Sequence, residues 1–177
     1  MAPTFRTRDY FTVDRGAYLV RKPARGDIVL AQLEPDRAIA NDPGNMLRVM
    51  GLPGDVLEFR GRQLIINGEE VRLTSRQSFD EETGASEHIR VETLPTGLSH
   101  LIYAKDHDAS EVEFFVVPQG HYFLLGDNRR GATDSSTGIP PLARPVPASA
   151  IAGRVFRRED VADTPLEWLD RPAPKAP

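Results

Sequence analysis

The sequence predicts a mostly β fold made of short antiparallel strands. Its 15 prolines and 14 glycines are spread over 177 residues, which indicates many turns. Between the turns lie short apolar or alternating runs rich in valine, isoleucine and phenylalanine, the pattern of β-strands. The sequence contains no internal repeat, no heptad pattern and no long amphipathic helix. We therefore expect a barrel-like all-β fold that carries an inserted excursion.

The first half of the chain contains four such runs followed by a hairpin. Asn67-Gly68 marks the hairpin, because both residues accept the positive φ angles of a type I′ turn. The predicted strands and the hairpin are Phe11–Val13, Asp27–Gln32, Met46–Met50, Asp55–Arg60 and Gln63–Val71.

The second half begins with a polar, irregular stretch at residues 73–110, which we interpret as an inserted variable subdomain. Within it, His88–Glu92 and His100–Ala104 could form strands. A second hairpin is predicted around the turn Pro118–Gly120, which joins residues 111–117 to residues 121–125.

Prolines then dominate the chain before its last strand. Pro140-Pro141 and Pro145-Val146-Pro147 are expected to exclude regular secondary structure. A single helical turn is predicted at Ala148–Ala152 and a final strand at Arg154–Arg157. This organisation predicts a core formed by residues 1–72 and 111–160, with the insertion at 73–110 and a C-terminal tail at 161–177.

Composition excludes several classes of function. The chain has 22 basic and 26 acidic residues and a net charge of -4, which does not suggest a nucleic-acid-binding face. The absence of cysteine excludes disulfides, zinc thiolate sites and thiol chemistry. No window approaches the ~20 mostly apolar residues that cross a bilayer. We expect the chain as written to be soluble.

The sequence indicates no metal site and no cofactor. The four histidines, His88, His100, His107 and His121, have no ligand spacing and are interpreted as exposed or structural residues. An acidic cluster could hold a cation but is interpreted as a solvated loop, and a tryptophan near the C-terminus is interpreted as a packing anchor for the tail. These residues are Asp106, Asp108, Glu111, Glu113 and Trp168.

Two short motifs carry more information through their surroundings. Pro53-Gly54-Asp55 is by itself a turn signal, but it ends the run Leu-Arg-Val-Met-Gly-Leu-Pro-Gly-Asp at residues 47–55. Gly126–Arg129 is by itself a tight polar turn, but it follows an apolar strand and precedes Asp134-Ser135. In this order, the motifs resemble the signature boxes of the type I signal peptidases, the Ser/Lys serine proteases of peptidase family S26.

The resemblance extends towards both ends of the chain. Arg25–Val29 resembles the Arg-Gly-Asp segment at the start of a strand in that family, and Met1–Phe5 resembles the segment that directly follows the nucleophile. It implies a signal-peptidase-like antiparallel β fold of coiled sheets with an inserted β subdomain. It also implies cleavage of signal peptides from secreted preproteins at the outer face of a membrane.

The resemblance further implies how a peptide would bind. The family recognises an extended peptide with small residues before the cut, bound by strand addition beside the strand that carries its lysine. In this chain that strand would include Asn45, Met46 and Leu47, while Met1 and Phe5 would line the small-residue pocket.

The chain departs from the family at the residues that carry out or support catalysis. Leu47 occupies the position of the general-base lysine, Ala132 that of the serine that supports the lysine, and Ser136 that of an arginine paired with the aspartate of Asp134-Ser135. No serine precedes Met1. A serine hydroxyl needs a base to become a nucleophile, and leucine has no lone pair. The retained box residues are Asp127, Asn128, Arg129, Asp134 and Ser135.

Three hypotheses follow from these departures. The first is a catalytically degenerate signal-peptidase-like protein that binds extended peptides or assists a partner in secretion or surface assembly. The second is an active signal peptidase whose nucleophile and membrane anchor are encoded upstream, which would place it at the extracytoplasmic face of the bacterial inner membrane. The third is a structural β domain with neither role.

Overall fold

The computed structural model describes residues 1–5, 9–32, 44–60, 63–79, 86–103, 112–129 and 145–157. Its elements are almost all β-strands, and the strands pair antiparallel, so the predicted fold class is confirmed. In chain order the elements are β1 Phe11–Asp14, α1 Ala17–Val20, β2 Ile28–Ala31, β3 Asn45–Gly51, β4 Val56–Arg60, β5 Gln63–Ile66, β6 Glu69–Glu70, β7 Arg72–Phe79, β8 Ser86–Thr93, β9 Ser99–Tyr103, β10 Val112–Val116, β11 His121–Leu125, β12 Val146–Pro147, a 3-10 turn Ala148–Ala150 and β13 Ile151–Arg157.

The strands form three sheets. A six-stranded sheet has the order β1-β13-β2-β3-β11-β12, and a four-stranded sheet has the order β10-β4-β5-β6. A three-stranded sheet, β7-β8-β9, is built from residues 72–103 and joins the others through the turn after β11. The division of the chain into a core, an inserted subdomain and a tail stays a prediction.

Strands β3 and β11 lie at the centre of the core because they bury both of their faces. Successive side chains of a strand point to opposite sides. Phe123 and Leu125 therefore pack against the four-stranded sheet, while Tyr122 and Leu124 pack on the other side. We call these two groups the first and second apolar clusters. The first comprises Met50, Leu57, Leu64, Ile66, Val71, Leu94, Val117, Phe123 and Leu125, and the second comprises Val29, Ala31, Leu47, Val49, Tyr122, Leu124 and Val146.

Turn chemistry accounts for the predicted hairpin. Asn67 and Gly68 have φ angles of 54° and 82°, which confirms a turn with two positive φ values. The Asn67 side chain also accepts a hydrogen bond from the Val56 amide at 2.8 Å and donates one to Asp55 at 2.8 Å. The turn therefore fixes β4 and β5 in register.

Three predictions of local structure were wrong. Strand β7 occupies residues 72–79, where the sequence looked irregular, because it pairs along its whole length with β8. The segment at Pro145–Pro147 contains the short strand β12, since a proline is tolerated where a strand needs no amide donor. The strand predicted from Arg154 begins at Ile151, and the short helix α1 was not predicted.

Several predicted features lie outside the described residues. These are Trp168 and the tail, the Pro140-Pro141 pair, His107, and the acidic residues Asp106, Asp108 and Glu111. In the part of the chain that the structure describes, no helix is both long and apolar enough to cross a membrane.

Substitution of Gly153 tests how closely β1 packs against β13. An alanine Cβ at this position would lie 2.6 Å from the Asp14 carbonyl oxygen and 2.8 Å from a Val13 methyl group. We expect Gly153→Ala to reduce the free energy of unfolding by about 1–3 kcal/mol, because the strands must separate. Urea unfolding measures the change.

Gly16→Ala is the matched control for this substitution. Its added Cβ would meet Asp14 Oδ1 at 3.4 Å, an ordinary contact. Its effect should stay within about 0.5 kcal/mol. Equal losses in the two variants would contradict the steric account of Gly153.

Candidate functional site

Strand β3 presents different chemistry on its two faces. Leu47 and Val49 point into the second apolar cluster. Met46, Arg48 and Met50 point the other way, and Arg48 separates two apolar neighbours that belong to different clusters. The position of the family lysine and the adjacent arginine therefore face opposite sides of the sheet.

Leu47 is sealed in an apolar environment. Only 2% of its surface is exposed, and it packs with Val29 and Ala31 of β2 and with Leu124 of β11. Such surroundings favour an aliphatic side chain and oppose a charged one. The pocket at this position thus suits leucine without further adjustment.

Arg48 forms a buried, bidentate ion pair with Asp127. Its Nε lies 2.9 Å from Oδ1 and its Nη2 lies 2.7 Å from Oδ2, while Nη1 donates to the Gly26 carbonyl at 2.9 Å. Arg48 is 4% exposed and Asp127 is fully buried. Two parallel charge-assisted hydrogen bonds give this contact both strength and direction.

The N-terminal segment, residues 1–5, is attached to the same carboxylate. The Thr4 hydroxyl donates a short hydrogen bond to Asp127. Phe5 is buried in a third apolar cluster with Leu30 and Val155, and Met1 and Met46 pack against that cluster. The structure therefore brings together Met1, Phe5 and Met46, three of the residues predicted to contact a peptide.

The other two predicted peptide contacts lie apart from this cluster. Asn45 is exposed at the start of β3, and Leu47 points to the opposite face. Strand β3 pairs with β2 from Ala31↔Asn45 to Ile28↔Arg48, whereas its pairing with β11 ends at Leu125↔Arg48. Among the described residues, the segment 45–47 has a partner strand on the β2 side alone.

The three-stranded sheet holds the Gly126–Arg129 turn through its backbone. The Tyr103 amide donates to the Asp127 carbonyl at 2.9 Å, and the Arg129 amide donates to the Tyr103 carbonyl at 3.1 Å. These bonds form an isolated parallel bridge between Tyr103 and Asn128. The retained box residues Asp127, Asn128 and Arg129 thus form a structural joint between two sheets.

Side chains from the same sheet reinforce this joint. Glu92 of β8, 1% exposed, accepts a hydrogen bond from Arg129 at 2.6 Å. Nε2 of His100, from β9, lies 2.9 Å from Glu92 Oε2 and 3.7 Å from Asp127 Oδ1. Burial raises the pKa of Glu92, but Arg129 and the contact with His100 outweigh it and lower that pKa to about 2.

Sequence reasoning missed Glu92, His100 and the role of Thr4. His100 was interpreted as an exposed or structural residue, but its contacts with Glu92 and Asp127 were not predicted, because neither carboxylate is close to it in the sequence. One signal was available: Glu92 and His100 are directly opposite each other across the turn at Pro95–Gly97. Pairing the two predicted strands would have placed both side chains on one face.

The remaining predicted site residues lie outside the described residues. They are Ala132, Asp134, Ser135 and Ser136. Within the described residues, no group of three or more histidine, aspartate or glutamate side chains is arranged to hold a metal ion. The carboxylates of Glu92 and Asp127 are instead bound by guanidinium groups.

Comparisons with known proteins agree with the order of the motifs. The family model described as signal peptidase, peptidase S26, matches residues 1–158. A signal peptidase I of Pseudomonas fluorescens is 30% identical over an alignment of 205 positions, which covers 99% of this chain and 63% of the relative. A signal peptidase I of Rickettsia conorii is 30% identical over 139 positions, covering 74% of this chain and 51% of the relative. The chain thus spans between half and two thirds of the length of these relatives.

A solved structure was also matched. The crystal structure of a signal peptidase I from Enterococcus faecalis V583 is 23% identical and gives a TM-score of 0.40, over 76% of this chain and 97% of that one.

Replacing Glu92 by glutamine tests the electrostatic joint. Because the pKa of Glu92 is lowered from 4.5 to about 2, its charge stabilises the fold above pH 4.5 by about 3 kcal/mol, and this contribution is lost as the pH falls through 2. We expect Glu92→Gln to be less stable than the parent at neutral pH, with the difference shrinking towards about pH 2. Urea unfolding at several pH values measures this. Glu69→Gln, at an exposed hairpin position, controls for the loss of one carboxylate, and a difference that does not depend on pH would contradict the prediction.

The substitution Leu47→Lys tests whether water is excluded from the pocket around position 47. Burial disfavours an ammonium ion, so the lysine pKa in Leu47→Lys should lie below its ordinary ~10.4. The unfolded state then binds more protons, and stability relative to the parent should rise between about pH 7 and about pH 10. Asn45→Lys, at an exposed position of the same strand, is the control and should show no such rise. The same pH dependence in both variants would mean that position 47 is hydrated.

Proposed function

Because this chain belongs to the signal peptidase family, peptidase S26, we propose that it is a signal peptidase I-like protein that binds extended peptides without cleaving them. The observation that carries the proposal is Leu47, at the position of the family lysine and closed within an apolar cluster. The proposed ligands are the signal peptides of preproteins or other extended segments with small side chains.

The surroundings of Leu47 support the absence of a general base. Its apolar neighbours among the described residues are aliphatic side chains and two tyrosines. Burial and then the Asp27 carboxylate raise the pKa of Tyr18, so its phenol stays protonated at neutral pH. Arg48 cannot replace a lysine base, because a guanidinium keeps its protons and this one points to the opposite face. Ala132 and Ser136 are further substitutions away from the family pattern.

Peptide binding can survive the loss of this base. A peptide that adds to a sheet edge is held by main-chain hydrogen bonds, which need no particular side chain on the edge strand. The segment 45–47 of β3 offers such an edge on the side away from β2. The apolar cluster of Met1, Phe5 and Met46 lies on the adjacent face and would take the small side chains of the peptide.

Assistance to a partner in secretion or surface assembly is a further part of the proposal. A protein that holds an extended segment without cutting it can present that segment to an active peptidase or an assembly machine. The proposed location is the extracytoplasmic face of a bacterial inner membrane, where signal peptides emerge.

One observation favours a second candidate, an active signal peptidase. The Pseudomonas fluorescens relative, 30% identical and aligned with 99% of this chain, is named a signal peptidase I. This candidate requires a serine outside the sequence in hand and a base other than the residue at position 47. A structural β domain without ligands is the third possibility, and peptide binding would count against it.

A cleavage and binding assay on a preprotein in detergent separates these candidates. We expect the chain, and a version extended by a serine before Met1, to bind an alanine-containing signal peptide and to release no mature product. Adding Leu47→Lys and Ala132→Ser to the extended version should give cleavage, because these changes restore the lysine base and its supporting serine at the positions that the family resemblance assigns to them. Fluorescence anisotropy measures binding, and gel analysis measures cleavage.

The controls define which outcome contradicts the proposal. The extended version with Asn45→Lys places a lysine on the same strand at an exposed position and should remain inactive. Cleavage by the version that keeps Leu47, abolished by mutating a residue of this chain, would establish the active alternative. Absence of peptide binding would contradict the proposal and favour the third candidate, a structural β domain without ligands.

A further inference from the structure

We propose that Glu92 and His100 of the three-stranded sheet are positioning residues for the peptide groove, which consists of the edge of β3 at residues 45–47 and the apolar cluster of Met1, Phe5 and Met46. His100 lies 2.9 Å from Glu92 and 3.7 Å from the Asp127 carboxylate, and Asp127 in turn binds Arg48 of β3 and Thr4 of the N-terminal segment. The inference rests on the proposed peptide groove. It assigns a role in that groove to strands β8 and β9, which lie within the region that the sequence suggests is variable.

The first step is the contact between the sheet and Asp127. The backbone of Tyr103 holds Asp127 from one side by accepting and donating hydrogen bonds around it. The His100 ring lies between two carboxylates, with Nε2 at 2.9 Å from Glu92 and 3.7 Å from Asp127. A lone pair on Nε2 would face negative charge from both carboxylates, whereas a proton there would face them favourably. Both ring nitrogens of His100 are buried, and neither has a hydrogen-bond partner of good geometry among the described residues.

The second step is the charge balance of the cluster. Glu92 and Asp127 supply two negative charges, and Arg48 and Arg129 supply two positive ones. Each carboxylate therefore has its own guanidinium, and His100 links the two pairs. A rotation of Glu92 or His100 would change the electrostatic potential at Asp127 Oδ1. Because buried charges interact strongly, this would also change the interaction of Asp127 with Arg48.

The third step connects Asp127 to the groove. Asp127 accepts the Thr4 hydroxyl hydrogen bond, and the Phe5 amide donates to the Met1 carbonyl at 3.2 Å, so residues 1–5 form one compact turn. A cavity of about 170 Å³ lies beside Thr4, Phe5 and Arg48. The segment is held by the packing of Phe5 in the third apolar cluster and, beside this cavity, by the contact of Thr4 with Asp127.

The methionine methyl groups provide a readout that needs no peptide. The chain has three methionines: Met1 and Met46 pack against the third apolar cluster, and Met50 lies in the first. With labelled methionine methyl groups, we expect His100→Leu to shift or broaden the NMR signals of Met1 and Met46 and to leave that of Met50 nearly unchanged. The affinity for an alanine-containing signal peptide should fall about 3- to 10-fold, as expected for one hydrogen bond.

A conservative variant and a matched control distinguish positioning from general stability. The side-chain amide of His100→Gln can donate to Glu92, so it should restore the methyl signals and bring affinity to within about twofold of the parent. His121→Leu alters a histidine that contacts the Gln119 carbonyl at the far end of β11, and should change neither readout. Unchanged Met1 and Met46 signals in His100→Leu, or no rescue by glutamine, would overturn the inference.

A second variant keeps the test decisive if His100→Leu folds poorly. Thr4→Val removes the contact of the segment with Asp127 at a half-buried position and should also displace the Met1 signal. Combining His100→Gln or His100→Leu with Thr4→Val should cost no more affinity than Thr4→Val alone. Additive losses of affinity would show that the His100 substitution does not act through Thr4. If the parent binds no peptide, the proposed function fails, while the methyl signals still decide the positioning role.

Discussion

The buried ion pair between Arg48 and Asp127 organises the rest of the molecule. It joins the middle of β3 to the turn after β11, and its remaining donor holds the Gly26 carbonyl just before β2. The same carboxylate receives Thr4, and the backbone of Asp127 is bound by β9. Removing two charges from water costs several kcal/mol per ion, so such a pair is tolerated only with close geometry and full hydrogen bonding. Several parts of the fold therefore meet at these two residues in a fixed arrangement: residues 1–5, the segment before β2, strand β3, the turn after β11 and strand β9.

The Arg48–Asp127 ion pair and Leu47 lie on opposite faces of β3. Arg48 and its partners occupy one face, while Leu47 occupies the other and packs in the second apolar cluster with Leu124. A change at position 47 therefore leaves the ion pair, the N-terminal segment and the sheet edge in place. The fold around Arg48 and Asp127 therefore does not depend on the chemistry of the side chain at position 47.

The sequence was sufficient to predict the elements whose signal is local. The type I′ turn at Asn67-Gly68 and the strand around Val29 follow from residue preferences and alternation, and the structure has both. Strand β7 could not be predicted in this way, because its polar residues are ordered by pairing with β8 rather than by burial of an apolar face. The same limit applies to the site: the box residues Asp127 and Arg129 were found from their motif, whereas His100 lies beside Asp127 and Glu92 beside Arg129 only because the strands pair as they do.

Substitutions in the ion-pair cluster and at position 47 also have different effects on the stability of the fold. Truncating Arg48, Asp127 or Glu92 would leave a buried charge without its partner, which is among the most destabilising changes a fold can suffer. Placing leucine where a buried lysine would stand has the opposite effect, because it removes the desolvation of an amine and fills an apolar pocket. An aliphatic side chain at position 47 is therefore favourable to stability, whereas truncation within the ion-pair cluster is not.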